Sequence, residues 1–590
     1  MPSIEKRGAE TMIQAWQQLA RQGRELWLSD IRSMSAGGPH EDVIFQLRTG
    51  DGKTRDFIWP VPRWRREEER AFVREYLAAA IFNTLSCFGG EELCLFYPED
   101  CADYPALFCA LRAVFQMDLT ERRGYGKVIQ IADRLCRARG GRAFRLLWKS
   151  KNDYCPAEAI RTGETTALQS RLRRLTQTAA EGLYCGIDVG GTDIKAAVVW
   201  QGRLLATKEF DWDPASYRTA EEIIDPICLL ARLLRFAVEH GEREAYKKAL
   251  DKSSSFRLIQ ETVKALEAET ALPAPLFDGI GLSFPDVVIH DRILGGETPK
   301  TRGMRENAAL PYEKEFAKIG MLGRKLETLC RPGVRVRIAN DGNVAAFTSA
   351  LEMACQGAAI DKGVFAHSLG TDLGTGWLTG TGAFPPFPLE MYDFLLDLGS
   401  LPQRSYAPDD VRSVRNENSG LPDARKYLGQ SAAFRLAYEK KPALLEGFLD
   451  ACGDGIAVRT SPEDTRKECL EHLMKKAESG EADACAVFVE IGRNLGRISR
   501  EIEFLLQPET RQRYLFGRFV KHPVCFRLMQ QGCRESMPEL ELIPADDTLA
   551  CSPLMLQLAA REDATVAQFG QAVGAVYFGV LQEEKDDETK

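Results

Sequence analysis

Long apolar runs are the first thing missing from this chain: across 590 residues none approaches the roughly 20 consecutive apolar residues of a membrane span, so no membrane partner is expected. Histidine is scarce, with six in all, and no two are spaced as a metal pair. The 16 cysteines are scattered from Cys87 to Cys551 without one Cys-x-x-Cys, which excludes a clustered zinc module. The opening "MPSIEKRGAETMIQAW" lacks the apolar centre of a leader peptide, so a cytoplasmic protein with reduced, mostly buried thiols is expected. Low-complexity segments are missing too. No charge of one sign dominates: the formal net charge is −8, made of +5 over residues 1–178 (28 basic, 23 acidic) and −13 beyond. That asymmetry separates two modules and names no partner.

What the chain does have is ordinary globular material, 44% hydrophobic and 27% charged, at a length that calls for three or four domains. Its front section reads as an α+β domain of its own, residues 1–178. "DVIFQLRTGDGKTRDFIW" alternates about a Gly-Asp-Gly turn as a hairpin over 42–59. "EEERAFVREYLAAAIFNTL" has helical spacing, "ELCLFY" is a short strand, and 104–117 is helical again. From Tyr184 the rhythm changes. Two strands flank a glycine turn, "GRLLATKEFDW" follows as a third, and two long helices come next. "FDGIGLSFPDVV" is a buried strand with a turn, "VRVRIANDGNVAAFTSALEMA" a strand running into a helix, and "GVFAHSLGTDLGTGWLTGTGAF" a second glycine hairpin. Helices over 482–507 and in "TVAQFGQAVGAVYFGVL" close the chain. One glycine hairpin repeating the type of the other is what a duplicated fold would give.

The chemistry sits in three short stretches. In "GIDVGGTDIK", Gly190 and Gly191 let backbone N–H groups approach a phosphate, and Thr192 adds a hydroxyl. Asp188, at the strand end, is placed for Mg²⁺. "LGTDLGTG" offers Gly370, Thr371, Gly374, Thr375 and Gly376 to the same phosphate chain. In "IANDGNVAAF", Asn340 and Asp341 stand where a strand yields to a helix. A plain β-turn explains either hairpin alone, and a helix cap explains the Asn-Asp pair. Their order along the chain favours a carboxylate, Asp341, that takes the proton of a hydroxyl during phosphoryl transfer.

Over roughly residues 183–582 these stretches resemble the ROK sugar kinases (repressor, open reading frame, kinase). "GIDVGGTDIK" and "LGTDLGTG" are similar to that family's phosphate motifs, "GIGLSFPDVV" to the turn in its sugar lobe, and "NDGNVAAF" to its catalytic segment. "YLFGRFVK" and "QFGQAVGAVYFG" fall where its adenosine loop and closing helix would. The resemblance implies an α/β, two-lobed actin/hexokinase-like (ribonuclease H-like) fold with an extra N-terminal α+β domain. Its first lobe would cover 179–340 with the helix 563–582, and its second lobe 341–562. It further implies ATP, Mg²⁺ and a hexose, glucose by default, in an interlobe cleft. Asp341 would be the general base, and Asn340, Asp341 and Glu390 would bind the sugar. Gly190, Gly191, Thr192, Lys195, Gly370, Thr371, Gly374 and Gly517 would bind the nucleotide, and Asp188 the metal.

Several departures from the family pattern bear on function. The family's Cys-x-Cys-Gly zinc cluster has no counterpart in "LEMYDFLLDLGSLPQRSYAPDD", and Asp393 stands in place of a histidine. No structural zinc is therefore expected, with apolar packing of Phe394, Leu395, Leu396 and Leu398 holding that loop instead. Asp372 replaces a glycine in the second phosphate turn, and Phe516-Gly517-Arg518 replaces a Gly-Gly pair. Arg518 would either stack on adenine or narrow the pocket. The family also contains sugar-sensing transcriptional regulators, so a regulator or a catalytically silent sugar binder is the alternative. Nucleic acid would then engage residues 1–178, where "VIQIADRLCRARGGRAFRLL" faintly suggests a helix-turn-helix, although two glycines interrupt its second helix. A second copy of the chain stays open as a partner.

Overall fold

The computed structural model describes residues 12–99, 103–158, 168–269, 275–295, 298–370, 373–417 and 419–581. The front hairpin forms as its alternation predicts. Strands β1 (His40–Arg48) and β2 (Thr54–Pro62) pair antiparallel with Phe45 opposite Phe57. β3 (Glu92–Tyr97) adds antiparallel to β1, and β4 (Arg145–Ser150) adds parallel to β3, giving the order β2-β1-β3-β4. The stretch likened to a helix-turn-helix is one helix, Gly126–Ala138, followed by β4. Gly140 and Gly141 end the helix, and the residues beyond them pair with β3, so no recognition helix exists there.

A second sheet holds β5 (Leu183–Val189), β6 (Asp193–Trp200), β7 (Arg203–Asp211), β8 (Gly279–Phe284) and β9 (Arg337–Asn340) in the order β9-β8-β5-β6-β7. β5, β6 and β7 form an antiparallel meander, while β8 and β9 run parallel to β5. Counted from its own first strand this is 5-4-1-2-3, the ribonuclease H-like order. A third sheet holds β10 (Gly363–Leu369), β11 (Leu373–Thr379), β12 (Gln512–Phe516) and β13 (Glu541–Pro544) in the order β11-β10-β12-β13. It follows the same pattern without the third strand, and the two orders together make this the duplicated, actin-like α/β fold. No helix among the described residues is long and apolar enough to cross a membrane. The described cysteines are free thiols.

Contacts divide the chain into two compact units, one of residues 1–162, 368–374 and 387–544, the other of 163–367, 375–386 and 545–590. In the first, the N-terminal segment does not stand apart; it packs with residues 387–544. The helix Glu67–Phe88 is buried almost all round through its second half, as its apolar run "YLAAAIF" requires. Its Asn83 amide makes both hydrogen bonds of the Leu395 backbone, accepting from the N–H at 2.7 Å and donating to the carbonyl at 3.1 Å. Leu28 N–H donates to Leu396 O, and Leu398 N–H donates to Leu26 O. Phe394, Leu395, Leu396 and Leu398 are buried, as the apolar reading of this run expects. Their backbone, however, is held by the N-terminal segment, a partner that apolar patterning could not name. Elsewhere in this unit the helices Ala482–Leu506 and Pro523–Ser536 touch at glycines. A Cβ on Gly492 would lie 2.0 Å from Met529 O, and one on Gly532 would lie 1.8 Å from Val489 O.

The second unit is built around the β5–β9 sheet. The side chains of Ile187, Val198 and Leu282 from the strands and of Ile224 and Leu230 from the helix Ala220–Leu234 share one core. That helix opens on a capping box, Thr219 with Glu222. The C-terminal helix, Val566–Val580, lies directly on β5 and β8 because glycines remove every Cβ at the contact. On Gly281 a Cβ would fall 1.8 Å from Ala575 O, and on Gly186 it would fall 2.0 Å from Ala572 O.

Candidate functional site

Three parallel strands of the second unit bring polar residues to one level at their carboxyl ends, where open α/β sheets carry their ligands. Asp188 of β5 pairs in register with Ser283 of β8, and Phe284 of β8 pairs with Asn340 of β9. Ser283 Oγ donates to Asp188 Oδ1 at 2.7 Å. Gln571 of the C-terminal helix donates to Ser283 Oγ at 2.9 Å and to the Asp341 carbonyl at 3.0 Å. One amide thus ties Ser283, the partner of Asp188, to the start of the helix carrying Asp341. Burial pushes the Asp188 carboxyl up to about 6; the Ser283 hydrogen bond opposes this, and the Asp341 charge adds to it. Burial thus makes the charged form of this carboxylate costly, and the Lys195 ammonium opposes the effect.

At the strand-to-helix passage Asn340 and Asp341 take different places. Asn340 is the N-cap of the helix Asp341–Gln356, its Oδ1 accepting from Gly342 N–H at 3.0 Å. Its Nδ2 donates to the Asp286 carbonyl at 3.0 Å. Asp341 is the first residue of that helix, and its carboxylate accepts from Gly342 N–H at 2.9 Å. The helix start is packed tightly from the other side. A Cβ on Gly376 would lie 1.8 Å from Gly342 O, and Asn343 Oδ1 accepts from Trp377 N–H at 3.0 Å.

In the first glycine turn, Gly190 N–H donates to Asp193 O at 2.8 Å, closing the hairpin. A Cβ on Gly191 would meet nothing nearer than Lys300 Cε at 3.5 Å, so this backbone faces open space. Thr192 is exposed, with its hydroxyl 3.3 Å from Asp193 Oδ2. Lys195 lies opposite Asp188 in the β5–β6 register, and its ammonium pairs with Asp193. Asp193, Ser283, Asp286 and Gln571 escaped the reading of the sequence. Ser283 alone left a signal, its place at the end of a strand read as buried.

The first unit gathers a separate set. The Gly370 carbonyl accepts from Gln430 N–H at 2.9 Å. Gly517 sits at φ +132 with its bare Cα against Leu369 O, where a Cβ would be 2.1 Å away. The end of β10 and the Phe-Gly-Arg turn are thereby neighbours, and only glycine fits at position 517. Arg518 does not lie free; its guanidinium pairs with Glu471 at 3.4 Å. A Cβ on Gly374 would meet only the Ser368 side chain, at 3.5 Å. Thr371 and Asp372 lie outside the described residues. Glu390 is 3% exposed and opens the 3₁₀ turn Met391–Asp393, its N–H donating to Ser86 O at 3.1 Å. At the far end of that turn Asp393 is clasped by Lys127 at 2.9 Å and Arg425 at 2.6 Å, and both cations hold its carboxyl below the usual range against the opposing effect of burial. Asp423, paired with Arg425 at 3.0 Å, is pushed up to about 6, chiefly by burial.

No protein-family model matches the chain, and no curated protein matches it. Solved structures do align with it. A ROK family glucokinase from Streptomyces griseus, in complex with glucose and AMPPNP, is 19% identical with a TM-score of 0.35, over 68% of this chain and 99% of that one. The ROK hexokinase from Thermus thermophilus is 16% identical with a TM-score of 0.36, over 68% and 100%. A ROK family transcriptional regulator, a homolog of the E. coli MLC protein, is 13% identical with a TM-score of 0.38, over 68% and 79%. The fold assignment rests on the two strand orders of this chain.

Proposed function

We propose that this protein is an ATP-dependent sugar kinase of the ROK kind, transferring a phosphoryl group to a hexose hydroxyl. The observation that carries the reading is the meeting of Asp188 and Asp341 at the carboxyl ends of β5, β8 and β9, joined through Ser283 and Gln571. Phosphoryl transfer needs a carboxylate for the metal and another for the attacking hydroxyl, and little covalent chemistry besides.

Asp341 accepts the proton of the attacking hydroxyl from its place in the first turn of the helix. Asn340, fixed by its bonds to Gly342 and Asp286, presents its remaining donor to a neighbouring sugar hydroxyl. Glu390, in the first unit, binds the sugar as well. Gly190, Gly191 and Thr192 offer N–H and hydroxyl donors to phosphate, and Gly370, Thr371, Gly374 and Gly517 keep the nucleotide-binding role that the resemblance implies. Lys195 balances the charge beside Asp188. The donor set suits Mg²⁺, which takes one or two carboxylates and completes its shell with water and phosphate oxygens; among the described residues no cluster of three or more Asp, Glu, His or Cys forms a denser cage. When bound at Asp188, Mg²⁺ supplies charge neutralisation of the phosphates.

A coupled ADP-release assay over hexoses and amino sugars tests the proposal: sugar-dependent ADP release supports it, and sugar binding without turnover supports a sensor or silent binder. Asp341→Asn should abolish turnover while leaving sugar affinity within about tenfold, because the amide keeps the hydrogen bonds and cannot take a proton. A well-folded variant with near-normal kcat would remove Asp341 from the mechanism.

A further inference from the structure

We propose that the N-terminal segment is part of the sugar site, with Lys127 acting as a positioning residue for Glu390; this rests on the reading of Glu390 as a sugar ligand. Glu390 and Asp393 are the two ends of a single 3₁₀ turn, with Asp393 N–H donating to Glu390 O at 3.2 Å. A turn this short has no slack, so whatever holds Asp393 orients Glu390. Asp393 is 2% exposed and is held by Lys127, from the helix Gly126–Ala138, and by Arg425. With Asp423 the four side chains form a buried, neutral cluster of two carboxylates and two cations. Taking out one cation leaves a buried carboxylate uncompensated, which forces the turn to shift or to admit water.

The backbone before Glu390 is anchored to the same segment. Leu389 N–H donates to Cys87 O at 3.0 Å and Glu390 N–H to Ser86 O at 3.1 Å, both carbonyls at the end of the helix Glu67–Phe88. Leu389 is itself held at φ +56, a left-handed conformation that a branched side chain adopts at a cost. Two helices of the N-terminal segment therefore grip the turn, one through backbone before Glu390 and one through an ion pair after it. Lys127 is the grip's adjustable member, because its contact is a single side-chain bond.

Steady-state kinetics of the full chain with hexose and ATP test this. Lys127→Met should raise the hexose KM tenfold or more, with kcat and the ATP KM within twofold, and Lys127→Arg should return the hexose KM to within threefold of wild type. Lys149→Met, an exposed change in the same segment, should leave all three constants alone. An unchanged hexose KM in K127M, or a fall in kcat matched by a rise in the ATP KM, overturns the proposal. Glu390→Gln separates the two readings. If E390Q leaves the hexose KM unchanged, the assignment of Glu390 fails and this proposal with it; if E390Q raises it and K127M does not, the proposal alone fails. Should K127M not fold, Asp393→Asn carries the same test by hydrogen exchange. Faster exchange confined to the amides of 389–393 is expected, and wild-type exchange there overturns the proposal.

Discussion

Gly281→Ala adds one methyl group where β8 meets the C-terminal helix. Its Cβ would stand 1.8 Å from Ala575 O and 2.8 Å from Gly579 N. Both are backbone atoms of the helix Val566–Val580, so no side chain can rotate away and the helix must retreat bodily. Restoring ordinary contact means a retreat of about 1.4 Å, and a gap of about 1 Å already forfeits up to half of the attraction across it. The helix buries Phe569, Val573, Val576, Tyr577 and Phe578, each worth about 1.5–3 kcal/mol when fully buried. Losing about a third of that contribution gives a destabilisation of about 3–5 kcal/mol, at the upper end for overpacking. Melting followed by circular dichroism should place the G281A midpoint of the second unit, about 260 residues, about 5–9 °C below wild type. Gly37→Ala, whose Cβ would find nothing nearer than 3.7 Å, is the control and should not move. A G281A midpoint within about 2 °C of wild type would refute the direct contact of helix and strand.

Glu25 gives a pH test. Its carboxyl is pushed up from the ordinary 4.5 to about 7, chiefly by burial; Arg435 and Arg497 pull it down, and Asp397 and Glu490 push it up. The folded chain thus keeps a proton that the unfolded chain releases between about pH 4.5 and 7, so stability falls as pH rises through that window and the penalty is complete above it. At about 1.4 kcal/mol per pH unit the penalty is at most about 3.5 kcal/mol. Glu25→Gln should melt higher than wild type at pH 8 and alongside it at pH 5, and parallel melting curves across that range would refute the assignment. Asn343→Ala should cost about 1–3 kcal/mol by orphaning the Trp377 N–H and lower the melting midpoint; a neutral result would show that water replaces the amide. Elemental analysis after dialysis should find no stoichiometric zinc, while a chelator should lower phosphorylation by stripping Mg²⁺ without shifting the melting midpoint. One zinc per chain, tightly held, would mean that the loop 388–400 has been misread.

Local rules carried the legible part of the molecule. The β1–β2 hairpin, the helix Phe256–Glu269 and the strand-to-helix passage at Asn340 were plain because alternation, helical spacing and cap residues act over a few positions. The same locality explains why Asp188, Asn340 and Asp341 could be marked as site residues. Ser283 became a partner only once β8 was known to pair with β5 in that register. Gln571 was invisible, being one polar residue on an apolar helix. Nothing local marks Lys127 and Arg425, or says that one aspartate will take them both inside. The glycines of "QGCRES" and "EIGRNLG" are poor helix formers on propensity alone. They are there because two helices touch backbone to backbone, which no single helix can announce.

The grip of the N-terminal segment on residues 389–398 also has a consequence on the ribosome. Asn83 and Leu395 are 312 positions apart, which at about 5–20 residues per second is roughly 15–60 s of synthesis. For that interval the nascent segment holds the Ser86 and Cys87 carbonyls, the Asn83 amide and the Lys127 ammonium without the partners they meet later. Contacts of such range close late, after long loops have already formed. The first segment to be made is thus among the last to be finished, and its fidelity depends on staying unaggregated until the middle of the chain arrives.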